Sequence, residues 1–147
     1  MDTAKHVQIL QMAYAWALAD TLLQFQKECV LARVTERKHV EQLATGKLRL
    51  TVFGITKPEE VFLKLSEIFG CARWEIVNNS AESFRAQSSS CTLCAIAKKV
   101  GAHSPCNLYC LDPMEGLLKA IAPPAVYTVE STLWSGNQCR VRVDIPG

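Results

Sequence analysis

No stretch of the chain reaches the roughly 18–20 consecutive apolar residues that a membrane-spanning helix needs, which sets a membrane protein of that kind aside. There is no basic stripe interleaved with aromatics. Sixteen Lys and Arg stand against fourteen Asp and Glu, a formal charge of only +2, so nucleic acid is not the expected partner. A phosphate-binding glycine loop, a nucleophile elbow and an HExxH pair are all missing, and with them three common hydrolytic chemistries. Internal repeats, low-complexity segments and flexible linkers are missing too. The 147 residues therefore read as a single domain, helical over 1–70 and sheet-forming over 71–147.

What the chain has in excess is cysteine, seven in all. An odd number leaves at least one thiol outside any fully paired disulfide framework. In a reducing compartment, closely spaced cysteines are metal ligands or reactive thiols more often than bridges. The segment Val7 to Ala19 imitates a signal peptide, ending in Ala17-Leu18-Ala19, but Asp2 lies in its charged region and Gln8 and Gln11 interrupt it. Its apolar positions, Ile9, Leu10, Ala13 and Ala17, continue at Leu22 and Phe25, as on a core-facing helix. The expected compartment is the cytoplasm.

Residues 4–33 read as one long amphipathic helix, and Glu36 to Ala44 as a second that ends at Gly46. Leu48 to Phe53 alternates weakly, as a short strand or an extended linker. Thr56-Lys57-Pro58-Glu59 is a capping box opening a helix that carries Val61, Phe62 and Leu65 and closes at Gly70. Beyond it the period changes. Trp74 to Val77 and Ser83 to Ser88 form a hairpin about Asn78-Asn79-Ser80; Tyr127 to Trp134 and Gln138 to Ile145 form another about Ser135-Gly136-Asn137. Between them lie a helix from Cys91 to Val100, stopped by Gly101, and one opened by Asp112-Pro113-Met114-Glu115 with Asp112 as its cap. The expected fold is α+β: N-terminal helices, then an antiparallel sheet of two hairpins with helices on one face.

Cys91-Thr-Leu-Cys94 puts two thiols on one helical face, and Cys106 and Cys110 form a second pair eleven residues on. Four converging thiolates suit tetrahedral zinc or an iron–sulfur cluster, with His103 as a substitute ligand. Alternatively one or two of them are reactive thiols without metal. Cys91 falls in the first turn of its helix, where free N–H groups and the dipole favour a thiolate. Buried cysteine is also an ordinary small hydrophobe. Cys29 and Cys71 fit that description, and so does Cys139, which can also point into the same pocket. His6 and His39 read as solvated, and Trp16, Trp74 and Trp134 as packing residues.

Cys91, Gly101, Cys110 and Asp112, followed by Pro124, Tyr127, Val129, Leu133, Gly136 and Cys139, resemble the L-2-amino-thiazoline-4-carboxylic acid hydrolase-like family and the related 4-vinyl reductase domain. The resemblance implies a small α+β domain with a pocket between helices and sheet, and a hydrolase that opens a cyclic C=N bond. In that reading Cys91 is the nucleophile, Asp112 or His103 moves protons, and Arg85 receives a substrate carboxylate. Cys94 and Cys106 are additional to the family's pattern, and Thr92 replaces the proline that often follows the first cysteine. These departures favour a ligand set. The leading expectation is thus a four-cysteine zinc or iron–sulfur site (Cys91, Cys94, Cys106, Cys110) beside a small-molecule pocket, acting in binding or sensing. The hydrolase is the alternative. A homodimer through the long N-terminal helix is a third, structural role.

Overall fold

Asp2 begins the first helix by accepting the backbone N–H of Lys5 at 2.8 Å, which satisfies one of the free donors of a helix N-terminus. In the computed structural model, which describes residues 1–147, α1 spans Thr3–Lys27 and α2 spans Leu31–Ala44. The single helix expected over 4–33 is broken. Cys29 adopts a left-handed φ of 59°, Val30 N–H reaches the Phe25 carbonyl and Cys29 N–H reaches that of Gln26. This is the helix-ending motif that glycine usually supplies. Cysteine in its place leaves no punctuation in the sequence, and Cys29 is exposed rather than a core residue.

The buried edge of α1 is Ala15, Ala19 and Leu22, small residues that let it lie close against α5 (Thr92–Lys99). Ile9 and Leu10, expected in the core, are exposed, and so is Trp16. No helix is long and apolar enough to cross a membrane.

Gly46 to Phe53 is a helix, α3, not a strand or linker. Leu50 and Phe53, three apart, pack on the core while Leu48 and Val52 face solvent, a helical period that the weak alternation concealed. Helix α4 spans Glu60–Phe69. The capping box does not form: Thr56 Oγ1 donates to the Glu60 carboxylate at 2.9 Å, and Glu59 makes no capping bond.

The sheet has the order β1-β2-β4-β3, all antiparallel, with β1 Glu75–Val77, β2 Ser83–Ser88, β3 Val126–Ser131 and β4 Cys139–Asp144. Both hairpins form, and β2 joins them by pairing with β4. Phe84, Ala86 and Ser88 of β2 and Cys139, Val141 and Val143 of β4 are buried, with α4 and α6 (Asp112–Ile121) packed on that face. The fold is α+β with its helices on one face of an antiparallel sheet, as expected.

Helix α6 runs on from a π-helical turn at Asn107–Leu111. Pro113 has no N–H and its ring crowds the carbonyl four residues back, here that of Tyr109, so an ordinary α-turn cannot pass through it. The wider turn answers this: Asp112 N–H bonds to the Asn107 carbonyl, five residues back. Asp112 is therefore inside a continuous helical segment and caps nothing. The Asp-Pro start signal marks a π-turn instead.

Two glycines fix how α2, α3 and α6 meet. A Cβ on Gly116 would lie 2.5 Å from the Gln42 carbonyl oxygen and 2.9 Å from Nη2 of Arg49, and one on Gly46 would strike the Gly116 carbonyl. Both obstacles include backbone, so neither can step aside cheaply. Gly116→Ala is expected to lower unfolding free energy by about 1–3 kcal/mol, read from urea denaturation at unchanged m-value.

Candidate functional site

Cys91 is the N-cap of α5, extended in backbone (φ −147°, ψ 111°), and its sulfur accepts the Cys94 N–H at 3.4 Å. Thiolate is the better acceptor, so a hydrogen bond from that N–H favours it. The Cys94 sulfur in turn lies 3.7 Å from that of Cys106. Hydrogen bonding with Cys94 brings the Cys91 thiol down from 9.0 to about 7, burial opposing the shift. Cys106 falls from 9.0 to about 6, again chiefly through Cys94, with help from the Ser104 hydroxyl and the Lys98 ammonium. Cys94 is displaced strongly upward and keeps its proton between two thiols that shed theirs.

Cys110, within the π-turn, is held well above its usual range by burial, and burial raises Cys71 and Cys139 to about 11. Five thiols, Cys91, Cys94, Cys106, Cys110 and Cys139, line one narrow cleft of about 20 Å³. The four cysteines expected of a cluster thus line one cleft, with only Cys94 and Cys106 in sulfur contact, and Cys139 joins them, its sulfur accepting the Leu133 N–H at 3.2 Å.

An ion that holds thiolates tetrahedrally at about 2.3 Å spaces its sulfurs by about 3.8 Å. The Cys94–Cys106 pair fits one edge of that figure. No three His, Cys, Asp or Glu side chains close around a common point, so the remaining ligands are not assembled about that edge.

A second and larger cavity, about 320 Å³, lies against the first. Cys91, Cys110, Ala72, Trp74 and Leu93 line both spaces and form their common wall. The larger cavity is bounded chiefly by apolar side chains from α1, α3, α4, α5 and α6, among them Leu18, Phe53, Leu65 and Leu117. A concave apolar space with few polar groups is the usual form of a small-molecule site. Trp74, expected as a packing residue, and Cys71, expected in the core, both line it. Lys38, Gln42 and Arg49 line it as well, on helical segments whose sequence carries no motif.

The proton-handling groups of the hydrolase reading do not gather at Cys91. Asp112 lies 3.9 Å from His39 Nε2, which also meets Glu115 at 3.3 Å, and Asp112 lines neither cavity. His39 is accordingly engaged rather than merely solvated. His103 is exposed, its backbone N–H bonded to Gln26 Oε1, and it too lines neither cavity. Arg85 is committed elsewhere: Nε and Nη2 hold the Glu130 carboxylate at 2.6 and 3.2 Å. The pair reaches across β4, which lies between β2 and β3, and Arg85 is not free to receive a ligand.

No family model and no curated protein matches the sequence. The fold has relatives. It is similar to the phenol-responsive sensory domain of the transcription activator PoxR, solved with phenol, at TM-score 0.58 and 13% identity over 89% of this chain and 74% of that one. It is also similar to a trafficking protein particle complex subunit 3 from Naegleria fowleri, solved covalently bound to palmitic acid, at TM-score 0.57 and 10% identity over 95% of this chain and 97% of that one. At these identities the likeness is one of fold alone.

Proposed function

We propose that this chain is a small-molecule-binding module of the sensing type, taking an apolar ligand into the cavity between its helices and sheet. The observation that carries the reading is that cavity: about 320 Å³, mostly hydrocarbon-walled, and sharing Cys91 and Cys110 with the thiol cleft. Support comes from the two structural relatives, which hold phenol in one case and palmitic acid in the other.

Calorimetric titration with phenol and with decanol tests it directly. One of them is expected to bind saturably, and Leu117→Phe, which enlarges a side chain on the wall, to weaken it about tenfold or more. Failure of both compounds to bind at millimolar concentration would overturn the reading.

The second reading is a zinc or iron–sulfur site on Cys91, Cys94, Cys106 and Cys110. The Cys94–Cys106 separation of 3.7 Å favours it, with Cys139 as a further donor in the same cleft. A metal there would hold the common wall in place. The homodimer expected through α1 has the exposed Val7, Leu10 and Trp16 in its favour.

A further inference from the structure

Apart from its thiols and phenols, the ionisable lining of the larger cavity is cationic: Lys38 and Arg49 line it, and no Asp or Glu does. Arg49 enters no ion pair. The acidic residues at the start of α6, Asp112 and Glu115, are engaged by His39. Of the five donors on its guanidinium, Arg49 uses one, Nη2 to the Gln42 carbonyl at 2.8 Å. Its Nε and the side-chain oxygen of Gln42 are buried without partners. A half-buried cation against hydrocarbon, short of hydrogen bonds, is costly to maintain. That end of the cavity presents a guanidinium with donors to spare.

We propose that the ligand is an amphipathic monoanion, an apolar body ending in a carboxylate that Arg49 binds. The planar guanidinium matches a carboxylate in shape and charge. Lys38, on the same wall, is already paired with Glu41 at 3.1 Å, so Arg49 is the cation left to the ligand, and the Gln42 amide offers a further polar contact. The apolar body lies along Phe53, Leu65 and Leu117. This inference rests on the ligand-binding reading and names the chemical class of ligand for it.

Calorimetric titration of the full chain at pH 7.5 with decanoate and with decanol separates the two claims. Wild type is expected to bind decanoate about tenfold or more tightly than decanol. Arg49→Met, which keeps the aliphatic stem, is expected to bring decanoate down to the level of decanol. Unchanged decanol binding by that variant shows the cavity to be intact, and Arg49→Lys is expected to restore part of the preference. Equal affinities in wild type, or a preference that survives Arg49→Met, would overturn the anion proposal while leaving an apolar binding site. Absence of binding by both compounds would overturn the anion proposal, and, with phenol failing as well, the binding site itself.

Discussion

Phe62→Ala is expected to destabilise the protein by about 3–5 kcal/mol, the largest loss from any single side chain considered. Phe62 is completely buried. Its ring meets Trp74 edge-on at 5.3 Å and Phe84 edge-on at 5.9 Å, so it joins α4 to the sheet and to the residue preceding β1. Truncation removes the transfer free energy of the ring, two aromatic contacts worth about 0.5–1.5 kcal/mol each, and leaves a void between rigid neighbours. Small domains have roughly 5–15 kcal/mol in total, so a large part of the stability is at stake. Urea unfolding monitored by circular dichroism is the check. A loss under about 1 kcal/mol would show that the core collapses around the gap, contrary to the packing described.

The second large effect is chemical. A small neutral disulfide such as 4,4′-dithiodipyridine is expected to react first at Cys91, which lines the larger cavity and is only half-buried. With its thiol at about 7, the thiolate fraction rises from about 1% at pH 5 to about 90% at pH 8, and the rate with it. Cys71 and Cys139, raised to about 11, are expected to lag far behind. Cys94→Ala removes the main cause of the lowering. At pH 7 the thiolate fraction at Cys91 then drops about fiftyfold, while the more basic sulfur is intrinsically more nucleophilic by nearly tenfold, a net slowing of about fivefold.

The same shift gives a stability trend. The folded thiol titrates below its unfolded counterpart at 9.0, so its contribution is complete above pH 9 and is lost as pH falls through about 7. Stability should therefore rise from about pH 7 to 9. Bound zinc would change the outcome, withdrawing these sulfurs from the disulfide altogether. Elemental analysis of anaerobically purified protein decides that point, and less than about a tenth of an equivalent of zinc and of iron eliminates the metal reading.

Much of the architecture was legible because it follows from local patterns. Alternation along Cys139 to Asp144 and the turn residues at Asn78 and Gly136 marked both hairpins, and the order of elements led to an antiparallel sheet with one covered face. Three features were hidden, each where tertiary context overrules local preference. Cys29 occupies a backbone position that the sequence would signal with glycine. Pro113 announced a helix start, but the helix begins earlier and widens to pass it. Leu48 to Phe53 divides its apolar residues between core and solvent, and so imitates a strand. The thiols were visible through spacing alone. Lys38, Gln42 and Arg49 were not, since helical segments of mixed charge look the same whether their cations meet water or a cavity.

The wall shared by the two cavities has a thermodynamic corollary. A molecule seated against Cys91 and Cys110 alters how readily those sulfurs gain or lose protons, by excluding water from them. Reciprocity then requires that protonating the same sulfurs change the hold on the molecule by an equal factor. Occupancy and thiol state are two readings of one equilibrium.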